Sequence, residues 1–218
     1  MLLAVSLPFL IKAGRRSTLC KKTAYRLFYF NFSYLDQLII FGPPGVGKGT
    51  QAELISSSLN LFHLSTGEVL RKAVSDGTEL GKKAKEIMDR GALVPDDVMI
   101  GIVKEALTKN KSGNGFILDG FPRTIAQAES LSDIFKELGY NNVKVINLIA
   151  GTEELVKRLL KRGRSDDTEA TIRHRLKVYY DSTEPVKDYY DNLGCVIDIN
   201  GEGSKNEIFG YITKAMSV

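Results

Sequence analysis

The sequence has little cysteine and no long apolar run. Cys20 and Cys195 are the only cysteines in its 218 residues, which excludes a disulfide scaffold and a zinc site of four thiolates. No apolar run reaches about 18 residues, which argues against a transmembrane helix of ordinary length, and we find no internal repeat. The composition, with 43% apolar and 26% charged residues, is that of a globular protein, and the length allows one or two domains.

The net charge of +4 is unevenly distributed. Residues 1–36 carry six basic side chains and one acid, so this segment is +5 and the remaining chain is −1. Nucleic-acid-binding domains carry a basic patch on the folded body, and this body is nearly neutral. We therefore predict no nucleic-acid partner, and no membrane partner either.

Residues 1–36 also differ from the rest in pattern. The apolar stretch Met1–Ile11 precedes the charges, whereas a secretory signal peptide has its charges first. The lack of acids through Leu35 is compatible with an organelle transit peptide. The alternative is extra sequence that is disordered or follows a start codon placed too far upstream. We predict an N-terminal extension on a cytoplasmic protein, or on a mitochondrial or plastid protein if the extension is a transit peptide.

From Gln37 onward, short apolar segments alternate with longer amphipathic ones. The short segments predict buried strands at Leu38–Phe41, Phe62–Leu64, Phe116–Leu118, Val143–Ile149 and Val196–Ile199. The longer segments predict helices at Gln51–Leu59, Gly67–Val74, Leu80–Arg90, Asp97–Thr108, Thr124–Leu138, Glu153–Lys161 and Thr168–Asp191, the last bent near Pro185. This alternation predicts an α/β fold with a parallel sheet and helices on both of its faces.

A glycine-rich loop follows the first predicted strand and begins the first helix. Residues 42–50 read Gly-Pro-Pro-Gly-Val-Gly-Lys-Gly-Thr, in the context that a phosphate-binding loop needs. The glycines let backbone N–H groups surround a polyphosphate, and Lys48 adds a full charge for the β- and γ-phosphates. The residue after the lysine is commonly a Ser or Thr that ligates magnesium. Here it is Gly49, so we expect Mg²⁺ to be held mainly by nucleotide oxygens and water.

The loop resembles that of the nucleoside monophosphate kinases, and the resemblance continues through His63–Gly67, Asp119–Arg123 and Gly163–Asp167. Within the family, the sequence is most similar to the adenylate kinases with a short lid. The resemblance covers roughly Leu38 to the C-terminus. It implies a kinase domain over residues 37–218 of the P-loop NTPase type, with a five-stranded parallel sheet. It also implies a helical AMP-binding segment over residues 65–94 and a short lid at about residues 162–168.

The resemblance implies reversible, Mg²⁺-dependent phosphoryl transfer from ATP to AMP, which yields two ADP and serves adenine nucleotide homeostasis. It implies a monomer without zinc, in which magnesium is bound through water near Asp119. The ATP-binding residues implied are Gly45, Val46, Gly47, Lys48, Gly49, Thr50, Arg158, Arg162 and Gly203. The AMP-binding residues implied are Thr66, Gly67, Arg71, Ala92, Leu93, Val94, Gly120, Phe121, Pro122, Arg123, Gln127, Arg164 and Arg175. The catalytic residues implied are Lys48, Asp119, Arg123, Arg158, Arg162, Arg164 and Arg175.

Taken alone, several of these residues also have purely structural interpretations. Ser65 and Glu68 fit a helix capping box, and Asp119 fits a helix N-cap as well as an acid that organises magnesium. Thr152 is a candidate N-cap, and Glu154 with Arg158 fits a solvated pair four residues apart. The resemblance assigns no role to two neighbouring basic residues, Arg173 and His174, which we expect to be exposed.

Three alternatives remain at this stage. UMP/CMP kinases typically have alanine at the position of Thr66 and asparagine at that of Gln127, so both residues favour AMP. A nucleotide switch or binding module with a P-loop belongs to another class, and the arginines and the second nucleotide motif disfavour it. An inactive homologue is disfavoured by the presence of Lys48, Arg123 and Arg164.

Overall fold

A computed structural model describes residues 36–111, 113–164 and 167–216. The predicted extension up to Leu35, and Asp166 within the predicted lid, lie outside the described residues. The strands are β1 Asp36–Phe41, β2 Phe62–Ser65, β3 Gly115–Asp119, β4 Val143–Ile149 and β5 Val196–Asn200. The helices are α1 Lys48–Leu59, α2 Thr66–Ser75, α3 Glu79–Asp89, α4 Asp96–Lys109, α5 Ile125–Leu138, α6 Thr152–Arg162, α7 Glu169–Val178, α8 Glu184–Asp191 and α9 Lys205–Met216, with a π-helical segment, Tyr179–Thr183, between α7 and α8.

The strands form one parallel sheet in the order β2-β3-β1-β4-β5 across the described residues. In the register of β1, Ile40 lies opposite Asp119 on one side and opposite Ile146 on the other. Because all strands run the same way, their carboxyl ends meet at one edge of the sheet, which is where ligands bind in open α/β folds. The predicted α/β fold with a five-stranded parallel sheet is confirmed.

The core has two apolar layers, one on each face of the sheet. Ile39 and Phe41 belong to the layer that also contains α4, α5 and α8, whereas Leu38 and Ile40 belong to the layer with α1, α6, α7 and α9. Successive side chains of a strand point to opposite faces, so the continuous apolar sequence of β1 feeds both layers. This double burial fixes both faces of β1, the strand from which the glycine-rich loop begins.

The structure differs from the sequence-based expectation in local features of its helices. Helix α9 was not predicted. The bend expected near Pro185 is the π-helical segment, which ends just before the turn that carries this proline. The N-cap of α6 is Gly151 rather than Thr152, because Thr152 already has helical geometry as the first residue. The N–H of Gly151 donates to Glu202 instead, at 2.8 Å.

Candidate active site

A cleft of about 380 Å³ opens at the carboxyl ends of the strands. All of the site residues predicted from the sequence line it, except Val46 and Gly203. Val46 is fully buried beneath the loop. Gly203 lies after β5, where its nearest side chain is Glu207, and its predicted contact with a nucleotide stays a prediction.

The loop between β1 and α1 has the shape of a phosphate cradle. Gly45 has a φ of 88°, and a Cβ atom built on it would lie only 2.8 Å from Cγ of Leu159, so α6 packs directly against the loop backbone. Lys48 is the first residue of α1, and its Nζ donates to the carbonyl oxygens of Gly42 at 2.8 Å and Pro43 at 3.0 Å. The N-cap of α1, Gly47, offers no side chain to the first turn, which leaves its N–H groups available to an anion.

The charge of Lys48 depends on its surroundings. The pKa of Lys48 is lowered to about 8, chiefly by burial, and this value includes the opposing effect of Asp119 and the lowering effects of Arg123, Arg175 and Arg162. The ammonium is therefore poised to gain stabilisation from any anion that enters the cleft.

Asp119 ends β3 and faces the start of α1. Its Oδ2 accepts from Oγ of Ser65 at 3.3 Å and would lie 3.3 Å from a Cβ atom on Gly49. The lack of a side chain at Gly49 thus keeps space beside the carboxylate. The capping box expected at Ser65 and Glu68 is absent, because the Ser65 side chain makes no capping bond to α2.

The other end of the cleft is built by α2 and the loop after β3. Oγ1 of Thr66 donates to the carbonyl oxygen of Gly120 at 3.0 Å, and Nε of Arg123 donates to the same oxygen at 2.8 Å. The guanidinium of Arg71 lies over Gly67, 3.1 Å from the position of a Cβ atom there. Burial lowers the pKa of Arg123, although Asp119 opposes the shift. Two guanidiniums and a hydroxyl therefore surround one small region.

The loop after α3 lines the same end. Gly91 has a φ of 73°, and a Cβ atom on it would lie 2.8 Å from Cγ of Arg175. This close approach sets the following residues, Ala92, Leu93 and Val94, along the cleft.

Arginines of α6 and α7 close the cleft between its two ends. Arg158 donates through Nε to Glu154 at 2.7 Å and through Nη1 to the carbonyl oxygen of Gly201 at 2.8 Å. Its pairing with Glu154 was expected from the spacing, but the second contact joins it to the loop after β5, so it is not a simple solvated pair. The two basic residues left without a role, Arg173 and His174, are exposed as predicted.

The carboxylate of Asp167 contacts the guanidiniums of Arg162 and Arg175. Arg162 binds its carboxylate through two hydrogen bonds of 2.8 and 2.6 Å, and Arg175 approaches it at 3.4 Å. The backbone N–H of Arg164 donates to it at 3.2 Å. Burial alone would raise the pKa of Asp167, but the hydrogen bond and charge of Arg162 outweigh it and lower the pKa below its ordinary value. The carboxylate is thus ionised and offsets the repulsion among the arginines.

The family model for adenylate kinase matches residues 40–195, which span both ends of this cleft. The chain belongs to the adenylate kinase family. It is 50% identical over 186 residues to an adenylate kinase of Leptospira biflexa, a match that covers 84% of this chain and 100% of the relative. It is 49% identical over 172 residues to an adenylate kinase of Corynebacterium urealyticum (79% and 94% covered) and 45% identical over 215 residues to one of Archaeoglobus fulgidus (83% and 99% covered).

Membership of the adenylate kinase family confirms the predicted enzyme class, an ATP:AMP phosphotransferase. Such kinases generally need a divalent metal. Within the described ranges, no three Asp, Glu, His or Cys side chains are grouped closely enough to hold an ion by themselves. The carboxylate of Asp119, beside the open space at Gly49, fits a metal that is held by phosphate oxygens and by water that this carboxylate orients. In the part of the chain that the structure describes, no helix is both long and apolar enough to cross a bilayer.

Two features of this adenylate kinase site were missed from the sequence. The first is Asp96, which accepts hydrogen bonds from Gln127 and Thr124. Its signal was an acid at the start of a helix, which is common and therefore weak. The second is the π-helical segment, in which Oγ1 of Thr183 donates to the carbonyl oxygen of Arg123 at 3.0 Å. We see no local signal for this contact between residues 60 positions apart.

Proposed function

We propose that the cleft binds ATP and AMP end to end and transfers the terminal phosphoryl group of ATP to the phosphate of AMP, reversibly, to give two ADP. One observation carries the proposal. A phosphate-binding loop with Lys48 lies at one end of a single cleft, Thr66, Arg71 and Arg123 lie at the other, and the arginines of α6 and α7 lie between them.

The donor end suits a nucleoside triphosphate. The backbone N–H groups of the loop, from Gly45 to Thr50, would bind the phosphates, with Lys48 on the β- and γ-phosphates. Arg158 lies between the loop and Gly201, so it would hold the nucleoside against the loop after β5. Gly203 would contact the adenine through its backbone.

The acceptor end suits a nucleoside monophosphate. Arg71 and Arg123 would bind the phosphate of AMP, because guanidiniums bind phosphate oxygens in pairs. Gln127 would hydrogen-bond the adenine, since an amide offers both a donor and an acceptor. The backbone of the loop at Ala92 and the side chain of Val94 would pack against the ring, with Thr66 closing the site.

The proposed phosphoryl transfer needs cationic side chains but no general base. The phosphate of AMP is already an anionic nucleophile, so the new P–O bond forms as the bond to the leaving ADP breaks, in line, and no proton is removed. Arg162, Arg164 and Arg175, with Lys48 and Arg123, would offset the repulsion between the two nucleotides and stabilise the charge on the transferred group.

Magnesium is the metal that we propose for this step. When bound, Mg²⁺ would neutralise part of the charge on the phosphates of ATP. Asp119 would orient its water ligands, and the open space at Gly49 admits them.

The segment over residues 65–94 and the short lid near residues 162–168 would close over the nucleotides. Closure keeps water from the transferred group, which would otherwise be lost to hydrolysis. We further propose that the enzyme is a cytoplasmic monomer, a proposal that a sedimentation experiment and localisation of the tagged full-length chain would test.

A nucleotide-panel assay tests the proposed function. The full chain is incubated with Mg²⁺ and ATP, alone and with AMP, UMP or CMP, and ADP formation is measured. We expect rapid ADP formation with AMP and slow formation with UMP or CMP. A strong preference for UMP would make the chain a UMP/CMP kinase, and ATP turnover indifferent to AMP would favour a hydrolytic switch.

A further inference from the structure

Asp96 lies behind the adenine-binding end of the cleft and is not among the residues that line it. It is the first residue of α4 and is half-buried. Its Oδ1 accepts from Nε2 of Gln127 at 2.6 Å, and its Oδ2 accepts from Oγ1 of Thr124 at 2.9 Å. Oγ1 of Thr124 in turn accepts from the backbone N–H of Gln127 at 3.2 Å. Both carboxylate oxygens therefore bind the first turn of α5.

These contacts determine which way the amide of Gln127 faces. Its Oε1 accepts from the backbone N–H of Arg123 at 2.7 Å, while its Nε2 donates to Asp96. A backbone N–H can only donate and an ionised carboxylate can only accept, so the two neighbours demand the same orientation. In a flipped amide, the NH₂ group would face the backbone N–H of Arg123, and the carbonyl oxygen would face the carboxylate of Asp96. Because Gln127 is only 2% exposed, water would not relieve those contacts.

After these two bonds, the amide of Gln127 keeps one N–H and one lone pair for a ligand. Adenine presents an amino donor beside a ring-nitrogen acceptor, which is the complement of an amide held in one orientation. Hypoxanthine presents the reverse pair, a carbonyl acceptor beside a ring N–H donor. An enzyme that holds its amide fixed would accept the first base and reject the second.

We propose that Asp96 is a positioning residue that locks the amide of Gln127 and thereby makes the acceptor site selective for AMP over IMP. The proposal rests on the proposed function, because it assumes that the base of the acceptor nucleotide meets Gln127. Asp96 itself touches no substrate and acts only through Gln127 and Thr124.

The experiment compares AMP and IMP as acceptors, with ATP and Mg²⁺ saturating, in the full-length enzyme and its variants. Asp96→Ala removes both acceptor oxygens, and we expect the AMP-to-IMP ratio of kcat/KM to fall about tenfold or more. Asp96→Asn keeps the size but can present either a donor or an acceptor to Gln127, so the ratio should fall about threefold or more. In both, the KM for AMP should rise while the KM for ATP stays unchanged.

Asp97→Ala and Asp97→Asn are the matched controls. Asp97 is the next residue in the same first turn, is exposed, and makes the same contribution to the charge at the start of α4. We expect its variants to keep the wild-type ratio to within about twofold.

Circular dichroism and thermal unfolding establish whether each variant is folded. If Asp96→Ala does not fold, the test is made with Asp96→Asn alone. A wild-type AMP-to-IMP ratio in folded Asp96→Asn would overturn the proposal, as would an equal rise in the KM for ATP and AMP or an equal effect of the Asp97 variants. The wild-type enzyme tests the proposed function separately. If the wild-type enzyme does not phosphorylate AMP, the proposed function is wrong. If an active Asp96 variant keeps the wild-type preference for AMP over IMP, only the role of Asp96 is wrong.

Discussion

At each end of the cleft, one cationic side chain is held by hydrogen bonds to backbone carbonyl groups. Lys48 is bound to Gly42 and Pro43, and Arg123 is bound to Gly120. Carbonyl oxygens hold these cations in place without neutralising their charge. The effect on turnover of removing Lys48 or Arg123 can therefore be predicted separately for each residue.

Lys48→Met is expected to lower turnover by about 10³-fold or more, because it removes the cation that we propose contacts the transferred phosphate. The wild-type lysine, with its pKa of about 8, should also take up protons when ATP binds at about pH 8.5. The phosphates of ATP are already ionised there, and their charge raises the pKa of Lys48. Calorimetry in two buffers of different ionisation enthalpy measures the uptake, and the same uptake in Lys48→Met would contradict the assignment.

Arg123→Ala is expected to lower turnover by about 10³-fold or more, because it removes a guanidinium that we propose binds the phosphate of AMP. Arg173→Ala is the matched control, since Arg173 is exposed on α7 and pairs with Glu169. It should keep turnover within about twofold of the wild type. Steady-state rates of ADP formation measure both, and comparable losses in the two folded variants would contradict a specific role for Arg123.

At the scale of elements, the proposed acceptor site depends on close packing between α2 and α3. A Cβ atom on Gly81 of α3 would lie 2.0 Å from the carbonyl oxygen of Ala73 in α2, so the two helices touch backbone to backbone. Helix α2 carries Thr66 and Arg71, and their position is therefore coupled to this contact. A change at this helix contact is therefore expected to reach the proposed AMP site.

Gly81→Ala is expected to destabilise the protein by about 1–3 kcal/mol, because it overpacks the contact between α2 and α3, and to raise the KM for AMP more than that for ATP. Gly101→Ala makes the same change in α4, where a Cβ atom meets nothing within 4 Å. It should instead stabilise by about 0.5–1 kcal/mol. Denaturant unfolding measures both, and equal stabilities would refute the packing argument.

The elements that the sequence predicted are those with a local signal. The five strands were found within two residues at each end, because each is a short apolar run. Helix α9 was missed although it has a sound signal. Ser204 and Glu207 form a reciprocal capping box, with bonds of 2.8 and 3.3 Å. Gly210 within the helix and the glycines before it weaken that helical signal. The π-helical segment and the lock on Gln127 depend on long-range contacts, which no local pattern reports.

At the scale of the whole molecule, the described residues account for the cleft and both apolar layers. The adenylate kinase match begins at residue 40, and 84% of the chain covers the whole length of the Leptospira biflexa relative. The predicted kinase domain, residues 37–218, begins one residue after Asp36, where β1 starts. That domain boundary remains a prediction that truncation can test.

A chain lacking residues 1–31 is expected to keep its kcat and both KM values within about twofold, because every proposed site residue lies beyond β1. Its melting temperature should match that of the full chain to within a few degrees. Kinetics and thermal unfolding of the purified truncated and full chains measure this. A loss of activity in a folded, truncated enzyme would show that the extension belongs to the kinase.

The π-helical segment Tyr179–Thr183 tolerates amino-acid substitutions better than it tolerates insertions or deletions. A π turn is an α-helix with one additional residue, and one residue corresponds to a rotation of about 100°. Ile172 before it packs into one apolar layer, and Val186 and Tyr190 after it pack into the opposite layer. Loss of a single codon here would turn α8 away from its layer, so homologous chains should keep this stretch at constant length even where its residues change.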